Sequence, residues 1–386
     1  MTVSRGKWIR ALAVLSSVAV SACESPPEIP VLSLVPPAAP DQVALTLFLV
    51  GDAGAPAPGG EPVLSALYVD ARSAPTPVIA FLGDNAYPRG LPDSTSPTRH
   101  EAERRLMAQI VAVRASGARG FFVPGNHDWD SHSADGWDAV RRQGRFVSAQ
   151  GDLRVQLLPA NGCPGPAVVD VDETARLVLL DTQWWLHRGA KPRHPVSPCP
   201  ADSEAEILDA LRLALRPLGP RRVIVMGHHP IQSGGPHGGH FGWMDHVFPL
   251  RRLNEVLWLP LPALGSVYPL ARMLGVSNQD LSSAAYRRMA TGLERVFEES
   301  PPLIYAAGHD HGLQAIGGRS ARYLLVSGAG VFGHHERVVS IDRTLFAAET
   351  SGYMRVEFLR DGLTRLGAQV VDQSGHAFEA FSMWLD

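Results

Sequence analysis

Charge, cysteine and membrane-length apolar segments are all scarce in this 386-residue chain. Only 19% of its residues are charged, and they nearly cancel to a formal charge of −3. So balanced a chain gives no sign of the basic surface that nucleic-acid binding needs. The N-terminal apolar run, Ala11 to Ala22, has 12 residues, too few to span a bilayer as a mature helix. There are three cysteines, and none stands at ligand spacing from another, which argues against a zinc knuckle. No internal repeat is present. What the chain does have is 37 glycines, 32 prolines and 15 histidines on a 45% apolar background. That composition suits a loop-rich enzyme with a sizeable core.

Arg5, Lys7 and Arg10 precede the apolar run, and Val20-Ser21-Ala22-Cys23 closes it. This start resembles a bacterial lipobox, which implies a lipoprotein signal peptide over 1–22 and lipidation of Cys23. The protein would then be exported and membrane-anchored, on the periplasmic or cell-surface side. The alternative is an ordinary secretory signal with an incidental Cys23. Glu24 stands where an aspartate would favour inner-membrane retention, so the outer membrane is mildly favoured. Pro26, Pro27, Pro30, Pro36, Pro37 and Pro40 read as an extended tether over 23–41. In an exported protein the two remaining cysteines, Cys163 and Cys199, are expected to form a disulfide. Closing that loop would contribute roughly 3–4 kcal/mol in the chain-entropy model; the alternative is two free buried thiols.

Short β-branched or aromatic runs at 45–50, 78–82, 120–123, 223–226 and 303–306 predict strands. Helical patterns at 101–115, 205–216 and 282–297 lie between them. The alternation argues for an α/β sheet with ligands at the carboxyl ends of strands. Beyond Gly312 the helical patterns stop, and 323–326, 353–359, 366–371 and 377–383 read as antiparallel strands. One domain is expected over 42–386, with an insertion at about 240–300. Within that insertion, 257–274 is apolar but broken by Pro260, Pro262 and Pro269, which excludes a membrane helix. Its expected roles are ordinary packing, a lid or a membrane-surface contact.

Five segments place metal-binding side chains directly after strands. They are Gly51-Asp52-Ala53-Gly54, Gly83-Asp84-Asn85-Ala86-Tyr87, Gly125-Asn126-His127-Asp128, Val225-Met226-Gly227-His228 and Gly308-His309-Asp310-His311. Two carboxylates sharing a cleft repel unless a cation lies between them. Asp84 is placed to bridge two metals and Asp52 to bind one. Asn126 adds an amide oxygen, and His228, His309 and His311 add imidazoles; this mixture suits zinc, manganese or iron. In His309-Asp310-His311 an extended backbone would turn both histidines inward and Asp310 away.

These segments resemble the calcineurin-like metallophosphoesterase superfamily, and more closely the purple acid phosphatases of the small tartrate-resistant type. The resemblance runs from Leu47 to about Ala329. It implies a four-layer α-β-β-α sandwich with mixed sheets. Most of that superfamily opens with Asp-x-His, but Gly54 stands where the histidine would be. The purple acid phosphatases lose that histidine and gain a tyrosine three residues after the second aspartate, where this chain has Tyr87. The resemblance therefore implies Fe(III) held by Asp52, Asp84, Tyr87 and His311. A divalent iron, zinc or manganese would be held by Asp84, Asn126, His228 and His309. Should Tyr87 be only a core aromatic, a metal pair of another kind would remain.

Such a pair makes hydroxide near neutral pH and clamps the phosphoryl oxygens during in-line attack on phosphorus. His127 is the first candidate to protonate the leaving group, with Asp128 supporting it from behind. His237 is the second, because it lies nine residues after His228, where the family carries an active-site histidine. The family commonly places an acidic residue just before it; Pro236 stands there instead. His229 and His240 are weaker candidates. The leading expectation is an exported phosphatase acting on small phosphomonoesters. A phosphodiesterase or nucleotidase on the same centre is the alternative, and a non-catalytic surface lipoprotein or a phospholipid-directed enzyme are the lesser ones.

Overall fold

The computed structural model describes residues 34–216, 219–252 and 257–385. The expected signal segment, Cys23 and most of the expected tether lie outside the described residues. From Val43 onward the chain builds two seven-stranded sheets. The first begins with β1 (Val43–Val50), β2 (Pro77–Phe81), β3 (Arg119–Phe122) and β4 (Val155–Leu157). The second contains β5 (Ala167–Val171), β6 (Ala175–Leu179), β7 (Arg222–Met226), β8 (Ile304–Ala307), β9 (Leu313–Gly317), β10 (Tyr323–Ser327) and β11 (Thr344–Ala348). The chain then returns to the first sheet with β12 (Gly352–Leu359), β13 (Thr364–Val371) and β14 (Ala377–Leu385). Strand order is β14-β13-β12-β1-β2-β3-β4 in one and β11-β9-β10-β8-β7-β6-β5 in the other.

Both sheets are mixed in the same way. Strands β1 to β4 run parallel, and β12 to β14 are added antiparallel beside β1. In the second sheet β6, β7, β8 and β10 run parallel, flanked by antiparallel β5, β9 and β11. One expectation is corrected here. Residues 323–326 were predicted to belong to a purely antiparallel run, yet β10 pairs parallel with β8 on one side and antiparallel with β9 on the other. The parallel pairing lets Val326 and Ser327 reach the seam between the sheets.

Parallel strands are buried on both faces and so read as continuous apolar runs; all of β6 and β8 and the last three residues of β7 are buried. The helices cover the outer faces. Helix α1 (Pro62–Ser73) starts with Pro at its first position, and Glu61 accepts from Val63 N at 3.3 Å. Helix α2 (Arg99–Ser116) ends at Gly117 in the left-handed region (φ 77°), the usual helix stop. Helices α3 (Gly136–Ala149) and α4 (Glu204–Ala214) follow. Ser203 and Glu206 cap α4 reciprocally. After α5 (Val267–Met273), helix α6 (Ala284–Glu299) buries Tyr286, Met289, Leu293, Val296 and Phe297 along one stripe. The irregular part of the 240–300 stretch therefore stops at Ser283, because α6 packs into the core.

Segment 257–274 contains a turn of 3-10 helix (Leu264–Ser266) and α5, and it is mostly on the surface. Leu259, Leu264, Val267 and Leu274 are more than half exposed. No helix among the described residues is long and apolar enough to cross a membrane. Cys163 and Cys199 are disulfide-bonded, tying the start of β5 to the segment before α4.

Candidate metal centre

All seven expected ligand residues lie at carboxyl ends of central strands, on the seam between the sheets. Asp52 follows β1, Asp84 and Tyr87 follow β2, and Asn126 follows β3. From the other sheet, His228 follows β7, and His309 and His311 lie between β8 and β9. Asp52, Asp84 and His309 have φ of 59°, 53° and 71°. Such a backbone is costly away from glycine and persists where the surroundings over-determine it. Two glycines explain how the turns fit together. Gly83 has φ 95°, and a Cβ there would meet the His228 ring at 2.4 Å; a Cβ on Gly51 would meet Gly308 Cα at 2.9 Å.

The donors gather in two sets. In the first, the Tyr87 hydroxyl donates to Asp52 Oδ1 at 2.9 Å. His311 Nε2 lies 3.3 Å from the Tyr87 oxygen and 3.4 Å from Asp52 Oδ1. In the second, His228 Nε2 and His309 Nδ1 are 3.2 Å apart, each about as close to Asn126 Oδ1 (3.0 and 3.1 Å). Asp84 joins the sets. Its Oδ2 is 3.5 Å from His228 Nε2. Ligand atoms of Asp52, Asp84 and His228 all lie within 4.8 Å of one another.

The second set fits a cation for a reason visible in its hydrogen bonds. The outer nitrogen of His228 faces Leu82 O at 2.8 Å, and that of His309 faces Gln279 O at 2.9 Å. A carbonyl can only accept, so each outer nitrogen carries the proton. The inner nitrogens then face one another and an amide oxygen; burial opposes charge on His228, but Asp84 and Asp52 outweigh it and raise that imidazole. Burial first, then the charges of His237, His229 and His228, holds the His309 imidazole well below its ordinary range, so it stays neutral. With a cation among them, the two inner nitrogens and the Asn126 oxygen would all face it as ligands.

The first set is held differently. Burial opposes the charge on Asp52, but His311, His228 and the His309 N–H outweigh it and keep the carboxyl below its usual value. Burial likewise opposes charge on His311, but Asp52 outweighs it and lifts the imidazole to about 9. Burial, reinforced by Asp52 and Asp84, drives the Tyr87 phenol well above its ordinary value. The ring is therefore a neutral donor until a cation strong enough to reverse that balance displaces its proton.

Around the donors, His127 turns Nδ1 toward Pro88 O (2.6 Å) and Ser131 Oγ (3.1 Å), leaving Nε2 3.8 Å from Asp84 Oδ2. Asp128 does not brace that ring as expected. Its carboxylate accepts from Asn85 N, Asn85 Nδ2 and Gly125 N at 2.8–3.0 Å. These donors belong to the turns that carry Asp84 and Asn126, so Asp128 holds those turns together. Burial first, then Asp84, raises it to about 6. His237 stacks on His309, with ring centroids 3.8 Å apart. Asp310 turns away and accepts from His237 N at 3.0 Å. His229 is buried between Thr182 Oγ1 (2.8 Å) and Gln279 Oε1 (2.7 Å), with ligand atoms of His228, His229 and His309 all within 4.8 Å of one another. His240 is half-exposed.

Sequence reasoning missed several residues here. His334 stands over His311 with centroids 4.3 Å apart. Gln279, Asp280 and Arg272 reach the site from the surface stretch and carry no local pattern. Asp181 follows an apolar run as Asp52 does, so its signal was present; it accepts from Trp129 Nε1 at 2.8 Å.

No known sequence family matches the chain, and no curated protein matches it. Solved structures do. GAP50, described as the anchor in the inner membrane complex of Plasmodium, aligns at TM-score 0.53 and 16% identity, over 89% of this chain and 88% of that one. The purple acid phosphatase PPD1 from yellow lupin (Lupinus luteus) seeds aligns at 0.53 and 13%, over 88% of this chain and 53% of that one. The fold is metallophosphoesterase-like. The chain spans about half the length of the lupin protein. At these identities the likeness concerns the fold, and the two neighbours' descriptions differ, so fold alone does not choose a function.

Proposed function

We propose that this chain is a binuclear metal-dependent phosphatase, of purple acid phosphatase type, that hydrolyses small phosphomonoesters. The observation that carries the reading is the convergence of seven oxygen and nitrogen donors on two adjoining points that share Asp84. A scaffold kept only for binding has no reason to retain all of them. Asp52, Asp84, Tyr87 and His311 would hold Fe(III), and Asp84, Asn126, His228 and His309 a divalent metal. Bound there, the pair supplies Lewis acidity toward the phosphoryl group and lowers the pKa of water.

The residues around the pair do the rest. The Asp84 carboxylate accepts from His127 N at 2.8 Å, so the turn carrying His127 is fixed relative to the shared ligand. With its Nδ1 proton committed to Pro88 O, His127 presents Nε2 to the cleft, where the ring, once it has taken up a second proton from solvent at Nε2, can hand that proton to the departing oxygen. His237 flanks the opposite side, against His309. The N-terminal features add the proposal of an exported, lipid-anchored enzyme of the small tartrate-resistant group.

The deciding experiment loads the protein with iron and zinc, measures metal content, and compares an aryl monoester with the matching diester. Turnover of the monoester with two bound metals is expected. A tenfold preference for the diester would replace the reading with the phosphodiesterase one, and no turnover with both metals bound would end it.

A further inference from the structure

The acidic residue that the resemblance leads one to expect beside His237 is absent from its neighbourhood in sequence, where Pro236 stands. The fold supplies one from elsewhere. Asp280, 43 positions later, is buried, and its Oδ1 lies 3.1 Å from His237 Nδ1. Gln279 O lies 3.0 Å from the same nitrogen. Arg272, on α5, grips that carboxylate with two donors: Nε to Oδ2 at 2.6 Å and Nη2 to Oδ1 at 2.5 Å. Arg272 is itself fixed by donating Nη1 to the phenol oxygen of Tyr268 at 2.6 Å, and its backbone carbonyl accepts from Ser282 Oγ. Arg272 Nη2 also comes within 3.0 Å of His237 Nδ1. Gln279 O can only accept, so the proton belongs on Nδ1 and the guanidinium hydrogens on Asp280. His237 Nε2 is then the ring's free nitrogen, on a ring stacked against the ligand His309.

We propose that Asp280, held by Arg272, is the positioning carboxylate of His237. The pair fixes the ring with Nδ1–H turned outward and Nε2 presented to the phosphate-ester cleft. It replaces from the surface stretch what Pro236 cannot offer. The same loop fixes His309 through Gln279 O, so α5 and residues 277–283 form part of the active site although α5 lies on the surface. This inference rests on the phosphatase reading, because His237 has a task only if an ester is cleaved beside it.

The test uses the full chain, loaded with iron and zinc for turnover and with zinc alone for NMR, and four proteins: wild type, Asp280→Asn, His237→Ala and the double variant. Asp280→Asn should lower kcat by roughly 10–100-fold with KM little changed, and more for an alkyl than for an aryl phosphate. In the His237→Ala background the same change should cost less than about twofold, and Asp280→Glu should recover part of the loss. Nitrogen NMR of the His237 ring should show the Nδ1–H form in wild type and a mixture in Asp280→Asn. Equal cost of Asp280→Asn with and without His237 would overturn the proposal, as would an unchanged ring signal. Arg272→Met provides the same comparison if Asp280→Asn does not fold. If wild type loaded with iron and zinc hydrolyses neither ester, the phosphatase reading fails, and the ring signal of the zinc-loaded protein still decides whether the clamp exists.

Discussion

The two sheets divide the metal centre by chemistry. The first sheet contributes only oxygens, from Asp52, Asp84, Tyr87 and Asn126, and the second only nitrogens, from His228, His309 and His311. The oxygen half carries the negative charge. The nitrogen half is neutral at His309 and positively charged at His311, whose imidazole is lifted to about 9. In the absence of metal the halves already attract, through His311 and Asp52 and through the His309 N–H donating to Asp52 Oδ2 at 2.8 Å. A cation therefore enters a seam that is prepared from both sides. The contrast also explains the geometry: carboxylates sit on sharp left-handed turns that aim them, whereas His228 is aimed by the carbonyl of Leu82 in the opposite sheet.

The most damaging way to break this division is at Asp84, the oxygen ligand placed between both sets. Asp84→Asn should lower metal content at both positions and reduce turnover by about 10³-fold or more; elemental analysis beside a phosphatase assay checks it. Retention of two metals would mean that Asp84 does not join the sets. Next is His127, which touches the oxygen half without being a ligand. His127→Ala should keep both metals and slow turnover on the order of 10²–10⁴-fold. Metal loss in that variant would move His127 into the ligand set.

Tyr87→Phe sharpens the contrast within the oxygen half. A visible band from tyrosinate on Fe(III) should be present in iron-loaded wild type and vanish in the variant, with a smaller effect on turnover. If no band appears in protein holding two metals, the iron assignment falls and a zinc or manganese centre takes its place.

The smallest effect concerns Asp181, a carboxylate stranded in the nitrogen half. Asp52 is held below its ordinary value, while burial pushes Asp181 up to about 8. The folded state thus keeps a proton that the unfolded chain releases near pH 4. The stability this brings is complete below that pH and is lost as pH rises toward 8. Asp181→Asn removes the dependence, so thermal unfolding should favour the variant progressively more between pH 5 and pH 8. A constant difference in Tm across that range would show that Asp181 is ionised in the fold.

Much of the centre was legible because each ligand follows an apolar run that ends in glycine or a turn. Gly-Asp at 51–52 and 83–84 announces both the strand end and the left-handed turn. Strands β4, β5, β6, β9 and β11 were not predicted; β3 and β8 are as short as these, but a metal-binding segment marks where each of those two ends. Asp128 was legible as important but not in its contacts, since its partner Asn85 lies 43 residues away. Asp280 and Arg272 were not legible at all. They sit in a surface stretch whose only local pattern is scattered apolar residues, and their meaning depends on a fold that returns them to His237.

The His309–Asp52 hydrogen bond joins residues 257 positions apart. At about 5–20 residues per second of synthesis, Asp52 exists for on the order of ten seconds or more before His309 is made. The first sheet waits longer still, because β12 pairs with β1 and belongs to the last part of the chain. The nascent polypeptide thus presents the ligand carboxylates long before the ligand imidazoles, and no partial chain up to β7 holds the complete ligand set. A metal pair that needs all seven donors therefore waits until His311 has been made, just before β9.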